Sequence, residues 1–84
     1  MSVPKDDLWQ LKSGTAALAV CIVRTLQKSD PDFEEQFLKN LDRAYYYFRD
    51  SDRETLHVLE LLSWTRELLT GWNNVTGQGE PLLP

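Results

Sequence analysis

Residues 29–54 read SDPDFEEQFLKNLDRAYYYFRDSDRE, and they divide the chain into three helical segments. Two clusters of turn and capping residues bracket one run with helical spacing. Ser29-Asp30-Pro31-Asp32 opens it. Asp30 can cap a helix, Pro31 suits the first helical position, and Asp32 favours the positive end of the helix dipole. Asp50-Ser51-Asp52-Arg53-Glu54 closes it, and Ser51 three residues before Glu54 has the pattern of a capping box that starts another helix. Between the two clusters Phe33, Phe37, Leu41, Ala44 and Phe48 recur at threes and fours, with Leu38 and Tyr45 beside them. Glu35, Lys39, Asp42 and Arg43 take the opposite side, so the run is an amphipathic helix with one buried face.

Working outward, the segment before this run predicts a helix from Asp6 or Asp7 to Lys28. At 100° per residue Leu8, Leu11, Thr15, Leu18, Ile22 and Leu26 share one face, and Trp9, Ser13, Ala16, Val20 and Val23 form a second stripe. Gly14 lowers the helix propensity there by about 1 kcal/mol relative to alanine. It fits a bend, a start at Ser13 or a close helix approach. The segment after the run predicts a helix from Asp52 to Thr70, stopped by Gly71 in a left-handed cap. Val58, Leu62, Thr65 and Leu69 make one of its stripes, and His57, Leu61, Trp64 and Leu68 a second. No repeat and no alternating β-branched run is present. The expectation is an all-α fold, with three antiparallel amphipathic helices at about 7–28, 31–49 and 52–70 forming a small bundle. Residues 1–72 form the domain and 73–84 a flexible tail, with Trp72 able to fold back towards Leu68.

A chain of 84 residues is one domain near the lower size limit for independent folding. Disulfides, metals and oligomerisation are the usual supplements at this size. Cys21 is the single cysteine and His57 the single histidine, too few for a bridge or a structural zinc site. Oligomerisation remains. Helices one and three carry more apolar surface than a closed monomeric bundle hides, and large exposed patches are unusual on soluble monomers. The sequence therefore predicts a homodimer with Trp9, Ser13, Ala16, Val20, Val23, Leu61, Trp64 and Leu68 at the interface. On that reading Val20→Glu breaks the dimer, whereas Leu41→Ala damages the monomer core.

The net charge of −4 and a pI near 4.8 disfavour nucleic acid and anionic membranes as partners. The longest apolar stretch, residues 16–23, is well short of a bilayer span. Acids at Asp6 and Asp7 stand where a secretory signal needs basic residues, which points to the cytoplasm.

Catalytic chemistry finds no foothold. Ser63 lies six residues from His57 and projects elsewhere, so a nucleophile–histidine pair is not formed. His57 and Glu60 resemble half a metal pair without the remaining ligands. Cys21 lies in an apolar run, and the reading is a buried, inert thiol. No cofactor is implied. The aromatic residues say more. Tyr45, Tyr46 and Tyr47 are consecutive and point three ways, with Tyr46 outward beside Lys39, Asp42 and Arg43. Tyrosine amid mixed charge with arginine nearby has the composition of a binding hot spot. These four residues are the candidate contact with an unidentified protein partner. The functional expectation is a non-catalytic, cytoplasmic, homodimeric interaction protein of the adaptor, chaperone, antagonist or regulator kind. The alternatives are a small-molecule-binding or accessory enzyme subunit with an aromatic-lined pocket between helices, and an acidic regulator of a nucleic-acid-binding protein.

Overall fold

A computed structural model describes residues 5–72 and 79–83. Three helices, α1 (Lys5–Gln27), α2 (Phe33–Arg49) and α3 (Leu56–Thr70), pack against one another, and no strand occurs among the described residues. The cross-links fix their directions. Lys12, in the first half of α1, reaches Glu60 early in α3, and Arg24, late in α1, reaches the Leu69 carbonyl late in α3. Arg24 also meets Glu34 at the start of α2. Thus α1 and α3 run the same way and α2 runs against both. The protein is an all-α bundle, as the sequence predicts.

The helix starts differ from expectation by a few residues, for a local reason. Asp30 uses its carboxylate to accept the Asp32 backbone N–H at 3.1 Å, and its carbonyl accepts the Phe33 N–H at 3.0 Å. This tight turn delays α2 to Phe33. The capping box does not form. Ser51 Oγ instead accepts the Arg53 N–H at 3.2 Å, inside its own turn, and α3 begins at Leu56 behind Thr55. The Thr55 hydroxyl donates to the Phe48 carbonyl at 3.0 Å and so links the two helix ends. Short polar side chains bonding their own turn compete with helix capping in this way. Gly71 ends α3 as expected, at φ 78°, with its N–H donating to the Glu67 carbonyl at 2.8 Å. α1 runs without interruption through Gly14, which is therefore not its start.

The core is built on Val20, Val23 and Leu69, with Phe33, Phe37, Leu38 and Leu68 packed against it. Ala16 and Leu41 are also buried. This reverses the assignment of the two α1 stripes. Ala16 and Val20 are fully enclosed and Val23 is 1% exposed, so these three are core residues and not dimer-interface residues. Leu11, Leu18, Ile22 and Leu26, expected to point inward, are 44–66% exposed. Small and β-branched side chains let α1 approach its neighbours closely, while the leucine stripe is too bulky for that seam. The two cations that flank the inner stripe, Lys12 and Arg24, also find their partners only on this side.

Arg24 joins the most elements. Its guanidinium donates to Gln27 at 2.7 Å, Glu34 at 2.8 Å and the Leu69 carbonyl at 2.8 Å. Its Nε donates to the Leu83 carbonyl at 3.3 Å. Of the segment expected to be a tail, residues 73–78 and 84 lie outside the described residues, whereas 79–83 rest on the bundle. The Leu82 N–H donates to the Leu68 carbonyl at 2.7 Å, and Leu83 packs on the core. The return is close: a Cβ at Gly71 would stand 2.8 Å from the Pro81 nitrogen. Trp72 is 57% exposed.

Urea unfolding of dilute protein distinguishes the two stripes. Leu69→Ala should cost ~2–5 kcal/mol, the range for emptying a buried leucine site. Leu18→Ala should stay within about 0.5 kcal/mol, as for a surface change. Val20→Glu should unfold the monomer instead of dissociating a dimer. Arg24→Ala should cost about 3 kcal/mol, since it orphans Glu34 and two carbonyls in a mostly buried setting.

Candidate functional site

Two surfaces stand out. The first is the outer face of α1. Leu11, Thr15, Leu18, Ile22 and Thr25 follow one another at spacings of four and three, with Leu26 beside them. All six are exposed, and none of them carries a charge. Thr15 and Thr25 turn their hydroxyls back to the Leu11 and Cys21 carbonyls at 2.8 Å, which leaves their methyl groups outward. Cys21, Ile22, Thr25 and Leu26 line a shallow apolar depression of about 280 Å³. Gly14 lies on the same side, and a Cβ built there meets no atom within 4 Å. Nothing within the bundle therefore requires a glycine at this place. The heptad-like spacing is the pattern by which helices seat against other helices. Sequence reasoning recognised the surplus apolar surface of α1 but assigned it to the wrong stripe. Cys21 is exposed here, not buried as expected.

The remaining interface candidates separate into groups. Trp9, Ser13, Trp64 and Leu68 come together around a depression of about 210 Å³ between α1 and α3. Trp9 is 60% exposed; Leu61, Trp64 and Leu68 are partly covered within the bundle. Beside this depression lies a polar cluster of the α1–α3 seam. Lys12 is 8% exposed and donates to Glu60 at 2.6 Å. Its ammonium also lies 3.0 Å from His57 Nδ1 and 4.9 Å from the centre of the Trp64 ring. A buried cation needs such compensation, and here the Glu60 carboxylate and the Trp64 aromatic face supply it, with the His57 ring alongside. The hydrogen bond from Lys12 holds the Glu60 carboxyl below its usual range. His57 is thus engaged in a structural seam. Among the described residues no group of three or more His, Cys, Asp or Glu side chains is placed to hold a metal ion.

The second surface surrounds Tyr46 on α2, which is 52% exposed. The Arg49 guanidinium lies over its ring at 4.5 Å, and the Tyr45 ring meets it edge-on at 5.8 Å. Of the partner-binding candidates, Asp42 and Arg43 stand by Tyr46 in two adjoining hollows. Lys39 lines neither; it pairs with Glu35 at 3.5 Å one helical turn back. Asp42 is held by Arg66 of α3 rather than by Arg43. Sequence reasoning missed Arg49, Leu62, Ser63 and Arg66 in this place. The last three belong to another helix, and only the α2–α3 packing brings them to Tyr46.

No helix among the described residues is long and apolar enough to cross a membrane. The chain matches no protein-family model, no curated protein and no solved structure.

The lowered Glu60 carboxyl has a consequence for acid stability. A group whose folded pKa is depressed stabilises the fold above its unfolded value and loses that contribution as pH falls through the folded one. The contribution is therefore complete above the ordinary glutamate value of 4.5 and fades below it. Melting temperatures measured downward from about pH 5 should fall more steeply for the native chain than for Glu60→Gln. Equal slopes would show that the Lys12 contact is not formed in solution.

Proposed function

We propose that this protein is a non-catalytic helical interaction module that pairs with a second copy of itself through the outer face of α1 and binds a further protein as that pair. The observation that carries the reading is the uncharged stripe Leu11, Leu18, Ile22 and Leu26, 44–66% exposed on one side of a single helix. Water disfavours such a stripe, and full burial of each large aliphatic side chain gains ~1.5–3 kcal/mol. A two-fold pairing counts every contact twice and adds the most to a small domain with a small core. The open side of Gly14 supports the same reading, since a missing side chain lets a second backbone come close.

The reading places the protein in the cytoplasm. Cys21 is an exposed thiol at the edge of the stripe, in the depression it shares with Ile22, Thr25 and Leu26. A reducing compartment keeps such a thiol free, whereas an oxidising one drives it into disulfides. A second reading, a small-molecule-binding or accessory enzyme subunit, draws on the tyrosine-walled pocket of about 190 Å³ between α2 and α3. The α1 stripe favours the interaction module, because a ligand in that pocket leaves the stripe in water.

Sedimentation equilibrium at tens of micromolar tests the pairing. The native chain should sediment at twice its 9.7 kDa mass, and Leu18→Glu or Ile22→Glu should sediment as a monomer with unchanged helicity. Alkylation of Cys21 should slow as protein concentration rises, and Leu18→Glu should remove that protection. A monomeric native chain with concentration-independent alkylation refutes the reading.

A further inference from the structure

We propose that the cleft between α2 and α3 around Tyr46 captures an acidic polypeptide segment, taking one apolar side chain into the pocket and its neighbouring carboxylates onto arginine. This deepens the interaction-module reading by naming the chemistry of the partner, and it uses a surface separate from the α1 stripe.

The pocket is sized for one side chain. Leu41, 9% exposed, Leu62, Tyr45 and Tyr46 line it with apolar surface, and Asp42, Ser63 and Arg66 with polar atoms. Its volume is about 190 Å³. A space of roughly 150 Å³ admits a benzene-sized group, so by volume one leucine or phenylalanine side chain fits in this open, half-polar pocket.

The rim is polar and has unused capacity. Arg66 donates to Asp42, and its contact with the Leu38 carbonyl is long, at 3.5 Å. A guanidinium carries five N–H donors in a fork that matches a carboxylate. The hydroxyls of Tyr45, Tyr46 and Ser63 form no hydrogen bond among the described residues. A ligand that brings acceptors to this rim therefore meets donors already in place.

A second hollow explains why the occupant is a chain and not a free acid. Arg43, Tyr46, Tyr47, Asp50 and Ser51 line it, and Tyr46 is common to it and the pocket. An extended segment that passes Tyr46 places side chains in both. A molecule filling one hollow leaves the other empty.

Charge selects the sign of the partner. The chain as a whole is at −4. Around Tyr46, however, Arg43, Arg49 and Arg66 stand with Asp42 and Asp50, and with Arg49 paired to Asp50 and Arg66 to Asp42 the two hollows keep one positive charge in excess. On a chain of net negative charge, a local excess of arginine favours an anionic segment over a cationic one. Arg49 stacked on the Tyr46 ring holds that tyrosine in place for contact.

The test is an amide-resolved NMR titration of the full chain with three probes. The first is a blocked pentapeptide alternating glutamate with leucine and phenylalanine. The second is the same peptide with lysine in place of glutamate, and the third is phenylacetate. The acidic peptide should shift resonances from Leu41 to Tyr46 and from Leu62 to Arg66. Tyr46→Ala should weaken it while leaving the helical spectrum intact. Arg66→Gln should weaken it about tenfold, the loss expected for one charge-assisted hydrogen bond. No localised shifts, equal binding of the lysine peptide, or phenylacetate binding as tightly as the pentapeptide would each overturn the proposal. The sedimentation result decides the α1 pairing separately, so either inference can fail alone.

Discussion

Arg24 occupies the point where α1, the start of α2, the end of α3 and the returning segment 79–83 converge, and its guanidinium bonds to all four. The rest of the bundle is arranged around this requirement. A largely enclosed guanidinium must have its donors satisfied, or desolvation cancels what packing gains. Satisfying them fixes which side of α1 faces inward. Lys12 imposes the same demand three turns earlier, and Glu60, His57 and Trp64 answer it from α3. With both cations facing α3, Ala16, Val20 and Val23 become the core stripe and the leucines are turned out.

That constraint also explains what was legible in the sequence. The three helices and the stop at Gly71 follow from local chemistry, namely apolar spacing and the one residue at ease with positive φ. The amphipathic character of α2 follows in the same way. The first residues of α2 and α3 did not, because Asp30 and Ser51 each have two backbone partners within reach and spacing does not say which wins. The two stripes of α1 were seen, but hydrophobicity alone ranked the leucines as core. The contrary signals were the small side chains of the other stripe and the two cations beside it. Both acquire meaning only once the neighbouring helices are placed.

The Tyr46 surface was half legible for a related reason. Tyr46, Asp42 and Arg43 share one helix, so their proximity follows from its geometry. Leu62, Ser63 and Arg66 come from α3, and nothing local to α2 announces them. Lys39 was grouped with Tyr46 by its place in the sequence, yet its charge is turned to Glu35. The α1 stripe and the Tyr46 cleft lie on different elements.

The indole under Lys12 has a use beyond stability. Trp64 sits partly covered in the α1–α3 seam with an ammonium 4.9 Å from its ring centre, whereas Trp9 and Trp72 are 60% and 57% exposed. The protein therefore carries a native optical gauge. Trp9 and Trp64 border one depression from opposite helices, so the surroundings of both indoles depend on how closely α1 and α3 approach. Any event that slides or spreads that seam should alter the protein's tryptophan emission, with no label attached.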